Sequence, residues 1–300
     1  MKYKMSAGSV IFSILNYTFL IAITIACIYP FYYIIINSIS GNDLSARGQI
    51  LFIPREIHLS NYSQIRNLPG LMRAVFISVS RTVIGTVFTV LASAFLGFLF
   101  TKGMWGRKVW YRLLVASMYV NAGLIPYFLV LMRLGFLNNF WVYIIPVIVQ
   151  PFSVLLVKTF IESTPISLQE SAEIDGAGPF KVFLFIILPL AKPILATVAI
   201  LVAVGQWNEF MHTLLFVTDQ RLWTLQFILH QYISNAGRLA AEIRQMGAGA
   251  TIDYMRLMNM QTPTSVRMTV TVVATLPILV VYPFFQRYFT KGLMMGAVKG

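Results

Sequence analysis

Long apolar segments separated by polar connections dominate the chain. The first runs without a charged residue from Met5 to Asn42, and a helix needs about 20 residues to cross the bilayer core. Five further apolar segments follow it. The pattern predicts an all-α polytopic membrane protein with six transmembrane helices, near Val10–Ser38, Ala74–Thr101, Leu113–Met132, Phe140–Val157, Pro193–Val217 and Met268–Phe285.

Two polar stretches interrupt this pattern without breaking the chain into separate domains. Residues 162–190 connect the fourth and fifth predicted spans, and residues 219–267 form a long excursion before the sixth. We therefore interpret residues 1–300 as a single transmembrane domain with two specialised loops.

Prolines and a glycine divide the 162–190 loop into two predicted helices. Thr164 is expected to cap a first helix that Pro165 opens, and Gly176 to end it in a left-handed conformation. Pro179 then opens a second helix that Pro189 interrupts. The loop is predicted to protrude from the membrane as two helices at an angle.

Composition places the chain in the membrane. With 58% hydrophobic and only 11% charged residues, it is too apolar for a soluble domain of 300 residues. The net charge is +13, but the basic residues are scattered between apolar runs, which argues against nucleic-acid binding.

The short loops orient the predicted spans. The connection between spans two and three carries Lys102, Arg107, Lys108 and Arg112, whereas the next connection has only Arg133. Basic residues favour the cytoplasmic side. Both termini and the 162–190 loop are thus expected in the cytoplasm and the 219–267 segment outside, with all nine lysines inside and eleven arginines outside.

Enzymatic signatures are missing from the sequence. It contains no glycine-rich phosphate loop ending in Gly-Lys-Ser/Thr, and His58, His212 and His230 have no metal-ligand spacing. We therefore expect no catalytic residues, no metal and no cofactor in this chain, and no ATP hydrolysis by it alone.

One loop motif carries a family resemblance. Glu170, Ala172, Gly176, Ile186, Leu188 and Pro189 stand at the spacing that marks permease subunits of bacterial ABC importers, with Ser171 replacing the usual alanine. The resemblance implies a type I importer permease fold in which a cytoplasmic coupling helix docks on an ATPase. The coupling residues would be Glu170, Ala172, Asp175, Gly176, Ala177 and Pro189.

Further segments are similar to the carbohydrate-importing, maltose-type group of these permeases. They are residues 283–300, Trp207–Phe210 and Pro126–Pro146, while Asn121–Gly123 departs from the usual Ile-Pro pair. A second departure is the long outer segment from Ser234 to Pro263. Such an insert resembles the subgroup that imports uronate oligosaccharides such as alginate or pectin fragments. The implied partners are a second homologous permease subunit, an extracytoplasmic sugar-binding protein, and two ATPase subunits that bind ATP and Mg, in the bacterial cytoplasmic membrane.

A polar group within the fifth predicted span is the candidate substrate pathway. Ionisable groups are expensive in the membrane and usually face protein or a water-filled cavity. Gln206, Trp207, Asn208 and Glu209 could form the wall of a sugar path, with Asn121 and Tyr119 as weaker members. They could equally join helices or lie at the outer interface. A competing interpretation is an ion-coupled secondary transporter that uses Glu209.

Overall fold

The computed structural model describes residues 7–66, 70–120, 122–234, 264, 267–280 and 283. Every regular element within these residues is helical, in agreement with the predicted all-α fold. The α-helices are α1 (Ala7–Ser38), α2 (Asn42–Ala46), α3 (Ser60–Arg66), α4 (Leu71–Leu99), α5 (Arg107–Ala116), α6 (Leu124–Arg133), α7 (Pro151–Glu162), α8 (Ser167–Ile174), α9 (Pro179–Val182), α10 (Leu188–Leu190), α11 (Lys192–Asn208), α12 (Met211–Phe216), α13 (225–234) and α14 (Arg267–Val280).

The chain forms two compact units. One comprises residues 1–68 and 231–275, and the other residues 69–230 and 276–300. The single domain expected over residues 1–300 therefore stays a prediction. Both candidate sites described below lie within the second unit.

In the first unit, α1 confirms the first predicted span. Most of its apolar side chains are exposed, as expected for a helix in lipid or against a partner. Its C-terminal end is fixed by the buried Asn37, whose Nδ2 donates to the Ile50 carbonyl at 3.2 Å. Ser45 Oγ donates to Asn37 Oδ1 at 2.8 Å. These bonds hold the chain after α1 against the helix.

In the second unit, α4 is the central element and confirms the second predicted span. Near its C-terminal end, Phe98 packs in a core with residues of α7, α11 and the segment after α8. Near its N-terminal end, Ile77 packs in a separate core with residues of α6, α12 and the 3-10 turn Phe140–Tyr143. The two positions are about 30 Å apart along the helix. One helix thus connects the two candidate sites.

Length and apolar character distinguish two helices that could cross a membrane alone, Gly8–Ser38 and Leu71–Leu99. Two bent pairs add two more if each pair is one span: Phe140–Val147 with Pro151–Glu162, bent by 45°, and Pro179–Leu190 with Lys192–Asn208, bent by 76°. The described residues therefore contain at most four candidate membrane spans. Helices α6 and α14 are apolar but shorter. The count of six stays a prediction.

The third predicted span, Leu113–Met132, is wrong as a continuous helix. Helix α5 ends at Ala116, and α6 begins only at Leu124. Gly123 has φ +83°, which a residue with a side chain rarely adopts. Pro126 lies in the first turn of α6, where a helix needs no N–H donor. These two residues start a new helix.

The fourth and fifth predicted spans are also broken. Gln150 is extended because it precedes Pro151, and this separates the 3-10 turns of Phe140–Val147 from α7. The fifth span was predicted to reach Val217, but α11 ends at Asn208 and Glu209 is extended. A separate short helix, α12, follows.

The start of the first helix in the 162–190 loop also differs from the prediction. Helix α8 begins at Ser167 rather than at Pro165. Thr164 does not cap it, because its hydroxyl donates to the Ile161 carbonyl at the end of the preceding helix, at 2.6 Å. The predicted start of the second helix at Pro179 is confirmed.

Candidate coupling and translocation sites

Helix α8 ends as the sequence predicts. Gly176 has φ +79°, its N–H donates to the Glu173 carbonyl at 3.1 Å, and the Ala177 N–H donates to the Ala172 carbonyl at 2.9 Å. This is the Schellman arrangement, which satisfies the last carbonyls of a helix and requires a left-handed residue. Gly176 therefore fixes where α8 stops and where the next segment leaves it.

One side of this segment packs on the core of the second unit. Ala172 and Ala177 contact the buried cluster that includes Phe98, Val157 and Val198, from α4, α7 and α11. Lys102, just after α4, forms an ion pair with Glu173 at 2.7 Å. The segment is therefore packed directly against three helices of the second unit.

The other side of the segment is open to solvent or a partner. Ile174 is 86% exposed, and Ile166 and Leu168 are also exposed. The acidic side chains of Glu170 and Asp175 are exposed as well. A surface that combines large apolar groups with carboxylates is suited to binding another protein.

Pro189 lies where the segment turns into α11. A π-helical turn, Phe183–Ile187, precedes it, and the axis then bends by 76° between Pro179–Leu190 and Lys192–Asn208. Proline lacks the N–H that would continue the regular ladder, and π-turns occur where that ladder is disturbed. Pro189 disturbs the regular ladder at the π-turn, as predicted, whereas the bend lies after Leu190, next to Pro193 in the first turn of α11.

The second site is a buried polar cluster around Arg81 of α4, which is 1% exposed. Its Nε donates to Gln206 Oε1 at 3.2 Å, and its Nη1 donates to the Glu209 carbonyl at 2.7 Å. The guanidinium carbon lies 4.5 Å from the centre of the Tyr143 ring. Arg81 thus joins α4 to the end of α11 at the point where that helix breaks.

The carboxylate of Glu209 has a structural role. Its Oε1 accepts hydrogen bonds from the backbone N–H groups of Met211 at 2.5 Å and His212 at 3.4 Å, the first residues of α12. His212 Nδ1 lies 3.8 Å from the same oxygen, and its Nε2 lies 3.0 Å from Tyr127 Oη. An acidic group at a helix start satisfies free N–H donors. Glu209 therefore caps α12.

The other predicted pathway residues differ in how deeply they are buried. Gln206 is buried, with Nε2 3.4 Å from the Tyr143 carbonyl, and Trp207 is 7% exposed. Asn208 is exposed and accepts from Gln226 Nε2 at 3.4 Å. Tyr119 is 83% exposed and stands apart from the buried cluster, while Asn121 lies outside the described residues.

Arg81 and Tyr143 are the members of this cluster that sequence reasoning missed. Arg81 was one of the eleven arginines assigned to the outer side, but its side chain is buried among helices and is not available at a surface. A signal was present, because Arg81 is the single charged residue between Ala74 and Thr101. An isolated charge within a long apolar run normally faces protein and has a specific partner.

Comparison with known proteins agrees with this architecture. The family described as "binding-protein-dependent transport system inner membrane component" matches residues 85–295. A Bacillus subtilis (strain 168) protein named polygalacturonan/rhamnogalacturonan transport system permease protein YtcP is 33% identical over 291 residues, covering 97% of this chain and 99% of the relative. Protein LplC of the same organism is 35% identical over 300 residues, covering 99% and 98%.

A solved structure is similar over nearly the whole fold. It is a bacterial ABC transporter involved in the import of the acidic polysaccharide alginate, one chain of which matches with a TM-score of 0.82 and 27% identity. The match covers 95% of this chain and 98% of that one. The chain therefore belongs to the inner membrane components of binding-protein-dependent transport systems, which are permease subunits of ABC importers and not enzymes.

Proposed function

We propose that this chain is a transmembrane subunit of an ATP-driven importer that carries an acidic, uronate-type oligosaccharide. Its partners are a second homologous permease subunit, an extracytoplasmic sugar-binding protein, and two ATPase subunits, which bind ATP and Mg. The complex lies in the bacterial cytoplasmic membrane, with both termini of this chain in the cytoplasm. Family membership supports this assignment over an ion-coupled transporter driven through Glu209.

The observation that carries the coupling proposal is the two-sided packing of α8. Its exposed side, with Glu170, Asp175 and Ile174, would bind the ATPase, while Ala172 and Ala177 press on the core of the second unit. Closure of the ATPase dimer around ATP would push α8, and the bend after Pro189 would carry that motion into α11.

The pathway proposal depends on the end of α11. Asn208 is exposed, whereas Gln206 and Trp207 are buried, so a sugar could reach them only in another conformation. A rearrangement transmitted along α4 and α11 would separate them from Arg81 and open the path. Amides would then bond sugar hydroxyls, and the indole would stack on a pyranose ring. Tyr119 and Asn121 are proposed as outlying members of the same path.

The acidic substrate is supported by the relatives and by arginine placement. One relative, YtcP, is named for polygalacturonan/rhamnogalacturonan transport, and the similar solved structure is of a transporter involved in alginate import. Among the arginines assigned to the outer side, six described ones are exposed: Arg47, Arg55, Arg66, Arg73, Arg133 and Arg221. The planar guanidinium binds a carboxylate through two hydrogen bonds, which lysine cannot do. Arginines of this kind would collect carboxylates near the entrance, or acidic residues of the binding protein.

Transport by the reconstituted importer tests the substrate. Proteoliposomes with all subunits would receive uronate oligosaccharides or neutral maltose-type oligosaccharides of equal length. We expect faster uptake of the uronates, with a preference that falls as salt rises, because exposed charges are screened over about 8–10 Å at physiological ionic strength. Preference for the neutral sugars would refute the acidic substrate while leaving the importer assignment intact.

The 219–267 segment is proposed to contact the binding protein. Its start is fixed by Asn138, whose Oδ1 accepts from the N–H group of Thr218, just before the segment, at 2.7 Å, and from that of Asp219 at 2.9 Å. Residues 235–263 lie outside the described residues. Deleting 236–260 should abolish stimulation of ATP hydrolysis by loaded binding protein and leave basal hydrolysis intact. Unchanged stimulation would contradict the proposal.

A further inference from the structure

The C-terminal ends of α4 and α8 meet at one ion pair. Helix α4 ends at Leu99 and α8 at Ile174. Lys102, which follows α4, has its Nζ 2.7 Å from Oε1 of Glu173 in the last turn of α8. Among the side-chain hydrogen bonds and ion pairs of the described residues, this is the one that joins α8 to another part of the chain.

Contacts within the chain fix the position of Lys102. Its N–H donates to the Leu99 carbonyl at 3.1 Å, and its own carbonyl lies 3.5 Å from Arg107 Nη1. Its Nζ lies 5.5 Å from the centre of the Phe98 ring, which is buried in the core with residues of α7 and α11. Lys102 is therefore fixed to the end of α4.

Both helix ends favour a cation at this place. The last carbonyls of a helix carry partial negative charge, which a cation stabilises and a carboxylate opposes. Glu173 lies in the last turn of α8, where its charge is unfavourable without a partner. Lys102 supplies positive charge to this carboxylate and to the end of α4. The pair thus compensates the charges of two helix ends at once.

Helix α4 connects this ion pair to the buried cluster around Arg81. From Arg81 to Leu99 the helix extends about 27 Å. No proline interrupts it, so its hydrogen-bond ladder lacks the commonest cause of a kink. At the far end, Arg81 donates to Gln206 of α11. A continuous helix therefore lies between the tie to α8 and the contact between α4 and α11.

We propose that Lys102 is a positioning residue through which α8 moves α4. This rests on the proposed function, in which the ATPase displaces α8. The ion pair with Glu173 would make the end of α4 follow α8, and α4 would then shift against Gln206 at the Arg81 cluster. This route differs from the one through the bend before α11, because it reaches α4 directly.

Charge reversal in the intact importer tests the proposal. Proteoliposomes receive binding protein loaded with the oligosaccharide, uronate or neutral, that the wild-type importer takes up faster, and sugar imported per ATP hydrolysed is measured. Loss of a partly exposed ion pair corresponds to a factor of up to about five, and each reversal adds repulsion between like charges. We expect Lys102→Glu and Glu173→Lys each to lower the ratio by about fivefold or more. Their combination should restore most of it, and Lys102→Arg should retain it.

The matched control is Glu162→Lys. Glu162 forms an ion pair of the same 2.7 Å length and is 47% exposed, against 49% for Glu173, but its partner Lys158 lies in the same helix. Its reversal breaks no contact between helices of this kind and should leave the ratio unchanged. An equal loss in this control, or no recovery in the combined variant, would overturn the proposal.

A photoreactive amino acid at position 174 separates this proposal from the docking of α8. We expect the same crosslink to the ATPase subunit in the wild type and in the reversal variants, because the pair would transmit movement after docking. Loss of the crosslink in the variants alone would overturn the proposal, since the pair would then be needed for docking. No crosslink in the wild type would contradict the docking of α8 itself, and the proposal with it.

Discussion

Arg81 offers the sharpest prediction about the described fold. Replacing it with methionine keeps an unbranched apolar stem about as far as the position of Nε and removes every hydrogen-bond donor. Gln206 Oε1 and the Glu209 carbonyl would lose their bonds to the guanidinium, and the contact with the Tyr143 ring would lose its charge. The variant removes the buried cation together with the volume of its guanidinium group.

The expected cost follows from these contacts. Hydrogen bonds to a charged group contribute about 1.5–3 kcal/mol each, and a buried acceptor left unpaired costs about 1–3 kcal/mol. Because part of the gain offsets the desolvation of the arginine, we expect Arg81→Met to lower the free energy of unfolding by about 2–4 kcal/mol. Arg81→Lys should recover little of this, because one ammonium cannot reproduce the planar fork.

The assay is thermal and denaturant unfolding of the purified importer, with Arg73→Met as the matched control. Arg73 lies on the same helix but is exposed, so its replacement should change stability by less than about 0.5 kcal/mol. A cycle that combines Arg81→Met with Gln206→Leu should show strong coupling between the two sites. Equal stability of the Arg81 and Arg73 variants would refute the assigned role, as would full rescue by lysine.

Three further predictions concern individual positions of the second unit. Gly176→Val should leave the protein in the membrane but abolish sugar-stimulated ATP hydrolysis, because a side chain at φ +79° strains the end of α8. The control Gly178→Val, at a position with negative φ and open space around it, should retain the sugar stimulation of ATP hydrolysis. Gly97→Ala should lower thermal stability by about 1–3 kcal/mol, because its Cβ would lie 2.9 Å from Val157 Cγ1; an unchanged melting temperature would contradict this close packing. Glu209→Ala should destabilise the protein by about 0.5–2 kcal/mol through loss of the α12 cap, whereas Glu209→Asn should retain most of the stability. The same unfolding assay compares the two variants. An equal loss of stability in both would contradict the capping role.

Features that depend on neighbouring residues were easier to predict from the sequence than contacts between distant residues. The long apolar runs were sufficient to locate α1 and α4, and Gly176 was sufficient to locate the end of α8, because a left-handed cap depends only on neighbouring residues. The break before Leu124 has a local signal in Gly123 and Pro126, within a segment that is apolar enough to resemble one continuous span. Hydropathy reports how apolar a segment is and not whether its helix is continuous.

The candidate sites depended more on contacts across the sequence. Arg81 and Gln206 are 125 positions apart, and their hydrogen bond follows from the packing of α4 on α11. The polar character of Gln206–Glu209 was visible in the sequence, but its division into a buried contact, an exposed amide and a helix cap was not. Those roles are set by the break at Asn208, which only the folded chain reveals.

Photo-crosslinking from α8 tests the account's central claim, that this segment couples the permease to its ATPase. A photoreactive amino acid replaces Ile174, which is 86% exposed, or Trp141, an exposed residue of the 3-10 turn whose neighbours pack in the core at the other end of α4. In the intact importer we predict that the probe at position 174 crosslinks to the ATPase subunit and that the probe at position 141 does not. No crosslink from position 174, or an equal yield from both positions, would contradict the account.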